Sequence, residues 1–368
     1  ATPVANIYAD FDGSNMTLAK VLVPMSDAAQ TLSADYDTFF RAVNAADYNL
    51  YKEALLAIDD VSHLENNELL LAIQSQEILE KVANLQGGVE GAFLRPRFSH
   101  LKTDGISARR IGFDIFANKF TPWGFGSAFI NYDNLSGDLS SQMVSLGAGL
   151  KNNLSWLGVF GGARLGYVKN SVKRDGQDPV KYNTLSGNLF AGVDVDLAMT
   201  SLPQTRFLPT VYIDYQYFRQ QGINHPGVNY RNSRVFESIV NSGYKYSGGN
   251  LFARHIAAKN LNAVSANIGL NVQQTLVAPW SLGAHLFYER RLNGKDFKTS
   301  AQFNDFAGTF EQTYQLNQNF VRFGMDVNYE TPLDARGIVY YATIGIDYET
   351  AAGGNNKYRA YGADFKGG

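Results

Sequence analysis

The chain has 368 residues, a net charge of −2, 45% apolar and 13% aromatic residues, 35 glycines and no cysteine. This balance offers no basic footprint for nucleic acid, no disulfide framework and no thiolate metal site. No run reaches the ~18–20 apolar residues of a membrane helix, which excludes a helical membrane protein. A barrel stays open, because only every second residue of its strands faces lipid.

The sequence starts Ala1-Thr2-Pro3 rather than with Met, so a leader or a larger upstream region is expected to have been removed. The acidic stretch DFDGSN at 10–15 lacks the full spacing of a calcium loop, and no metal is expected there. Residues 27–86 carry helical spacing. Leu32, Tyr36, Phe39, Val43, Leu50, Leu55 and Ile58 form one apolar stripe, and ENNELLLAIQSQEILEKVANLQ forms a second helix that stops at Gly87-Gly88.

Beyond Gly88 the helical period disappears. Twelve strands are predicted, at about 89–102, 107–120, 123–134, 139–152, 155–170, 181–199, 205–219, 260–275, 280–294, 310–330, 335–350 and 356–366. Pro96 predicts a bulge or an irregular start in the first, and the third leaves its faces undecided. NFVRFGMDVNYE alternates Val321, Phe323, Met325, Val327 and Tyr329 with Arg322, Gly324, Asp326, Asn328 and Glu330. AVSANIGLNVQ and GIVYYATIGIDYE alternate in the same way.

Connections after even strands are short: TP, NL, SLPQ, VAP and TPLD. Those after odd strands vary, with long ones at 171–180, 220–259 and 295–309. Short turns gathered at one end are a habit of outer-membrane barrels. Trp123, Trp156 and Trp280 each open an odd strand after a short turn, at one level, as a headgroup girdle would require.

These patterns predict an all-β, closed, twelve-stranded antiparallel transmembrane barrel behind an N-terminal helical segment. Closure is required, since an unpaired strand edge in hydrocarbon leaves backbone groups without partners. Apolar rows then face lipid and polar rows an interior wide enough for a helix but not a free channel. Arg110 and Asp114 of strand two, Arg164 of strand five, Asp194 and Asp196 of strand six and Asp214 of strand seven are the expected lining. His285, Glu289 and Arg291 of strand nine, Arg322 and Asp326 of strand ten, and Asp347 and Glu349 of strand eleven complete it, with a ladder of ion pairs on these last three. There is no G-x-S-x-G elbow, H-E-x-x-H or Walker loop, so neither an enzyme nor a cofactor is expected.

ARRIGFDIFANKFTPWGFGSAFINYDN, WSLGAHLFYERRLNG and the helical MTLAKVLVPMSDAAQTLSADYDTFFRAVNAADYNLYKEALLAI together resemble the C-terminal translocator domain of type Va autotransporters, over some 350 residues. The resemblance implies a barrel with a helix threaded through its pore, leading to an exported passenger. It divides the chain into a passenger tail (1–25), a helical linker (26–63), a pore-spanning helix (64–88) and the barrel (89–368). Gln74, Gln76, Glu77, Glu80, Lys81 and Asn84 give that helix a polar side, whereas Leu69, Leu70, Leu71 and Ile73 are apolar for a charged lumen. The alternative is that 27–86 packs outside the bore as a helical hairpin.

The implied partners are outer-membrane lipid, the chain's own passenger, the barrel-assembly machinery and periplasmic chaperones, with a monomeric barrel in the bacterial outer membrane and the passenger at the cell surface. Some such proteins cut their passenger free when an asparagine amide attacks its own carbonyl inside the pore, and Asn66-Asn67 is the candidate here, against a plain helix-start role. One departure is the end: Tyr361, Ala363 and Phe365 fall on the lipid face and Gly367 stands where a terminal aromatic is expected. A second function remains open, a stand-alone barrel acting as a channel or surface adhesin through loop 220–259.

Overall fold

The computed structural model describes residues 16–368 except 46–49, 51–52, 55–56, 104, 174–177, 199–201, 203, 232–233, 242, 244 and 354–356. Stretch 10–15 lies outside the described residues. Among the described residues the fold opens with helices α1 (Met16–Asp27), α2 (Ala29–Leu32) and α3 (Ala34–Ala45). Ser33 starts α3 by accepting the Tyr36 N–H at 3.2 Å, and Asp35 and Asp37 sit in its first turn, where carboxylates suit the helix dipole. The 26-residue α4 (Ser62–Gly87) begins where Asp60 Oδ1 accepts the Ser62 N–H at 3.0 Å. It ends at Gly88, whose φ of 63° is the left-handed stop that glycine permits. At 1.5 Å per residue its length is ~39 Å, more than a hydrocarbon layer of ~30 Å.

The first half of the sheet follows as β1 (Gly91–Lys102), β2 (Ser107–Thr121), β3 (Gly124–Gly137), β4 (Leu139–Leu154), β5 (Leu157–Val172), β6 (Val180–Val195), the two-residue β7 (Leu197–Ala198) and β8 (Thr205–Gln220). Next come β9 (Ile223–His225), α5 (Arg234–Asn241), β10 (Arg254–Ile256), β11 (Lys259–Thr275), β12 (Trp280–Arg291), β13 (Asp296–Phe303) and β14 (Thr309–Gln315). The chain finishes with β15 (Asn319–Glu330), β16 (Tyr341–Ala351) and β17 (Arg359–Gly367).

Strands β11, β12, β15, β16, β17, β1 to β6 and β8 pair in that order, and a β11–β8 ladder joins the ends. Since β7 merely continues β6 along β8, the result is a closed barrel of 12 antiparallel strands. Its outer face is apolar: Leu165 is 62% exposed, Leu146 59%, Ile344 63% and Ile346 59%. A soluble protein does not show an apolar belt around its whole girth. Arg322 and Glu349 on the same strands are buried inside. The hydrophobic and ionic sides are thus exchanged relative to a water-soluble sheet.

Pro96 interrupts the seam between first and last strands. β1 pairs with β17 at Leu94↔Gly367 and again at Arg97↔Asp364, with Arg95 and Pro96 unpaired between. Proline has no N–H for the ladder. The pairing of Pro96 with Phe113 of β2 is kept.

The long connections are not loose loops. β9, β10, β13 and β14 form a separate four-stranded sheet over one end of the barrel, the loop end. With α1 to α3 they make a cap whose core runs from Leu18, Leu22 and Phe39 through Tyr230, Phe252 and Phe303 to Leu135, Met143, Val168 and Phe218 on the barrel wall.

Three strand boundaries differ from those predicted. The span 310–330 is two strands, because the Asn317 N–H is taken by Glu68 of α4 at 2.7 Å and the Leu316 N–H by the Lys295 carbonyl at 2.9 Å. The span 335–350 starts only at Tyr341, since Asp334 Oδ1 accepts both the Arg336 and Ile338 N–H groups at 2.8 Å and closes a turn. The span 181–199 breaks at Asp196, whose N–H goes to the Trp156 carbonyl at 3.1 Å.

Candidate functional site

The interior of the barrel is occupied by α4, which enters at the cap and leaves at the turn end, where β1 begins. Its sequence changes character with depth. Leu69, Leu70, Leu71 and Ile73, too apolar for an ionic bore, join the cap core. Lower down, Ile78, Leu79, Val82 and Leu85 pack on Phe125, Phe160, Phe190, Tyr212 and Phe287. The polar residues between them reach the wall.

Glu77 is the centre of the largest charge cluster. It accepts from Arg110 Nη2 at 3.0 Å and Asn131 Nδ2 at 2.7 Å and is ion-paired with Arg164, Nε to Oε2 2.6 Å, all buried. Arg110 also grips Asp133 through Nε at 2.8 Å and Nη2 at 2.9 Å. One turn on, Glu80 takes Arg97 at 3.1 Å and Arg95 at 3.5 Å, while Lys81 donates to Asp114 at 2.8 Å and lies 4.4 Å from the Phe129 ring centroid. Asp114 is also paired with Arg97, and Arg95 with Asp364. Near the turn end Gln86 donates to Asp194 at 3.0 Å and Thr210 at 2.8 Å, and Lys151 pairs with Asp194 at 2.7 Å. In a water-poor interior these groups are stable only with all partners present.

On the other side Glu289, Arg322 and Glu349 run across β12, β15 and β16, at 2.5 Å and 3.0 Å. Ser75 of α4 donates to Glu289 at 3.3 Å. Asp347 and Asp326 stand outside this chain of ion pairs: Asp347 accepts from Gln76 at 2.9 Å and Asp326 from Asn328. Arg291 donates to the Asn317 carbonyl at 3.0 Å and lies 4.7 Å from the Phe320 ring centroid. Asp214 accepts from Asn188 and, at 2.8 Å, from Gln216.

The helix sits off-centre, against β3 to β6 and β8. Beside it a cleft of about 310 Å³ is lined by Glu80, Arg95, His285, Asp326, Asp347 and Lys366 among others. Inward glycines make this room. A Cβ on Gly283 would fall 2.4 Å from the Asp326 carboxylate, one on Gly324 2.2 Å from the His285 ring, and one on Gly345 2.5 Å from Asp364. Each polar side chain therefore lies flat on its neighbour strand.

Of the expected lining residues, Arg110, Asp114, Arg164, Asp194, Asp214, Glu289, Arg291, Arg322 and Glu349 are buried, and His285, Asp326 and Asp347 border the cleft; Asp196 is in neither group. That residue is 41% exposed in the β6–β7 break and pairs with Arg206 at 2.7 Å, because the strand has already lost its alternation there. The alternation argument overlooked Arg95 and Arg97, hidden by the Pro96 between them, and Asp133, on the strand whose faces were undecided. It overlooked Lys151 too. Trp123, Trp156 and Trp280 all lie at the turn end, 76%, 63% and 47% exposed.

Asn66 and Asn67 are buried within α4. Asn66 donates to Tyr182 at 2.7 Å and Asn170 at 3.0 Å, and Asn67 to Gln220 at 2.6 Å. Their amide nitrogens are engaged with the wall of the barrel, in helical backbone. Among the described residues no group of three potential metal ligands converges.

No family description and no curated protein matches the sequence. Solved structures do. The translocator domain of autotransporter NalP from Neisseria meningitidis is similar at a TM-score of 0.56 and 12% identity, over 82% of this chain and 97% of that one. The transport unit of the autotransporter AIDA-I from Escherichia coli gives 0.46 and 11%, over 76% and 90%. The toluene transporter TodX from Pseudomonas putida gives 0.38 and 8%, over 75% and 87%. The likeness is one of fold, and the two lower scores carry no argument. Closed barrel and apolar belt together make this an outer-membrane β-barrel protein whose bore is occupied by its own helix.

Proposed function

We propose that the chain is the outer-membrane translocator of an autotransporter, anchoring an N-terminal passenger and carrying it to the cell surface. One observation carries the reading. The described residues before Ser62 lie at the loop end, β1 begins at the turn end, and α4 joins them through the inside of a closed ring. With short turns in the periplasm, the upstream chain has crossed the membrane within the bore. Trp123, Trp156 and Trp280 then sit at the periplasmic headgroup level.

The expected division at 25/26 falls inside α1, so we set the passenger tail before Met16 and assign 16–60 to the cap. Residues 64–88 are the pore segment and 89–368 the barrel. The barrel is monomeric, and the periplasmic chaperones and assembly machinery that serve outer-membrane strands are its partners. The Asn66-Asn67 pair holds the helix rather than cutting it, given its engaged amides.

The test is an epitope fused ahead of Ala1 behind a secretion signal. Protease added to intact cells should remove it. An epitope protected until the outer membrane is broken would defeat the proposal. A second reading, a stand-alone surface barrel, draws on the shared core of the N-terminal helices and the barrel's own loops; a secretion signal encoded immediately before Ala1 in the native gene would favour it, and a long upstream coding region would favour export.

A further inference from the structure

The cap meets the pore helix at one buried residue. Asp60 Oδ1 caps α4 at Ser62, and Asp60 Oδ2 lies 3.4 Å from His225 Nε2 of β9. Its carbonyl accepts from Gln312 of β14 at 3.1 Å and Arg254 of β10 at 3.5 Å. Asp60 and His225 are 2% exposed, and Arg254 and Gln312 are fully buried.

The neutral His225 ring is held in one tautomer. The Gly227 N–H donates to its Nδ1 at 3.1 Å, so the ring proton sits on Nε2 and points to Asp60. The next residue, Val228, exchanges backbone hydrogen bonds with Leu251 at 2.7 and 2.9 Å and holds the turn, whose φ of 88° at Gly227 and close Leu251 carbonyl require glycine there. Arg254 is the direct cross-strand partner of His225, and its Nε and Nη1 have no hydrogen-bond partner. A second proton on His225 would place N–H against N–H at Gly227 and a new cation beside a buried guanidinium.

We propose that His225 is an acid-released latch holding the cap on the N-terminus of α4. This stands apart from passenger export and concerns the cap alone. Burial first, then Arg254, hold His225 below its ordinary value of 6.5, against the pull of Asp60. The opened cap therefore binds more protons than the closed one below about 6.5, and opening grows easier as pH falls through that window. Asp59, raised above 3.8 by burial, acts in the opposite sense, toward the carboxylate range. The remaining neighbours, Tyr230 and Gln312, stay neutral throughout.

The experiment is hydrogen exchange of the full chain in lipid vesicles, read by mass spectrometry over 58–66 and 221–256 between pH 7.5 and 5.5. Rates corrected for intrinsic exchange should rise by up to about tenfold per pH unit below ~6.5. His225→Gln, which keeps an acceptor and a donor but does not titrate, should flatten the profile. His255→Gln, at an exposed ring on Asn224, should leave it as in the parent. A flat parent profile overturns the latch, as does acceleration that persists in His225→Gln. If that variant fails to fold its cap, NMR titration of the His225 ring in the parent decides, and protonation at or above pH 6.5 refutes the proposal.

Discussion

Replacing Glu77 with Ala should cost far more than replacing Glu80, although both are helix carboxylates with two arginine partners. Without Glu77, Arg110 keeps Asp133, but Arg164 is left with Ser186 at 3.3 Å, Asn188 at 3.4 Å and the Met143 sulfur at 3.3 Å. A buried guanidinium without a carboxylate costs about 3–5 kcal/mol. Without Glu80, Arg95 keeps Asp364 and Arg97 keeps Asp114, so no guanidinium is left without a carboxylate and the loss is smaller, about 1–2 kcal/mol. The assay is reversible urea unfolding in lipid vesicles, followed by tryptophan emission. Because the damage is a stranded cation, Arg164→Leu in the Glu77→Ala background should recover most of it. Equal losses for the two glutamates, or a double variant worse than Glu77→Ala, would refute the reasoning.

Gly112→Ala should displace Asp133, since its Cβ would fall 1.9 Å from Asp133 Oδ1, and should lower the fraction of heat-modifiable folded barrel on gels by about tenfold or more; Gly126→Ala, with nothing nearer than 3.7 Å, should be neutral. Leu165→Arg on the lipid face should destabilise the barrel by about 2–4 kcal/mol if it lies near mid-membrane, measured by the same unfolding assay. Planar-bilayer conductance should separate the two closures of the bore. Removing 1–61 strips the cap helices but leaves α4 and a small current, whereas removing 1–88 should give a large one; equal currents would mean that α4 is no plug.

The alternation of residues such as Arg322/Phe323 and Asp347/Ile346 carried the fold, because a period of two with one ionic row admits few arrangements. The twelve strands were legible for that reason, whereas the helix in the bore was expected only from the family resemblance. The cap was not. Its strands are short, come from two distant connections and have meaning only once α1 to α3 cover them, a tertiary fact with no local signature. In the bore, Arg110, Asp114 and Glu289 were visible as inward charges, but their partners were not: Glu77 faces Arg110 and Arg164 through helix rotation, which strand periodicity does not report. Arg95 and Arg97 flank a proline that broke the pattern, and Asp196 kept the pattern after the strand had ended.

The direction of α4 has an implication for the order of events. The cap draws its core from helices upstream of the thread and from connections downstream of it, so neither contributor can fold it alone. On the proposed export route its helices would arrive as open chain before the cap condenses, after which the apolar residues they hide would oppose any retreat: the knot is tied last, and it tightens against being drawn back.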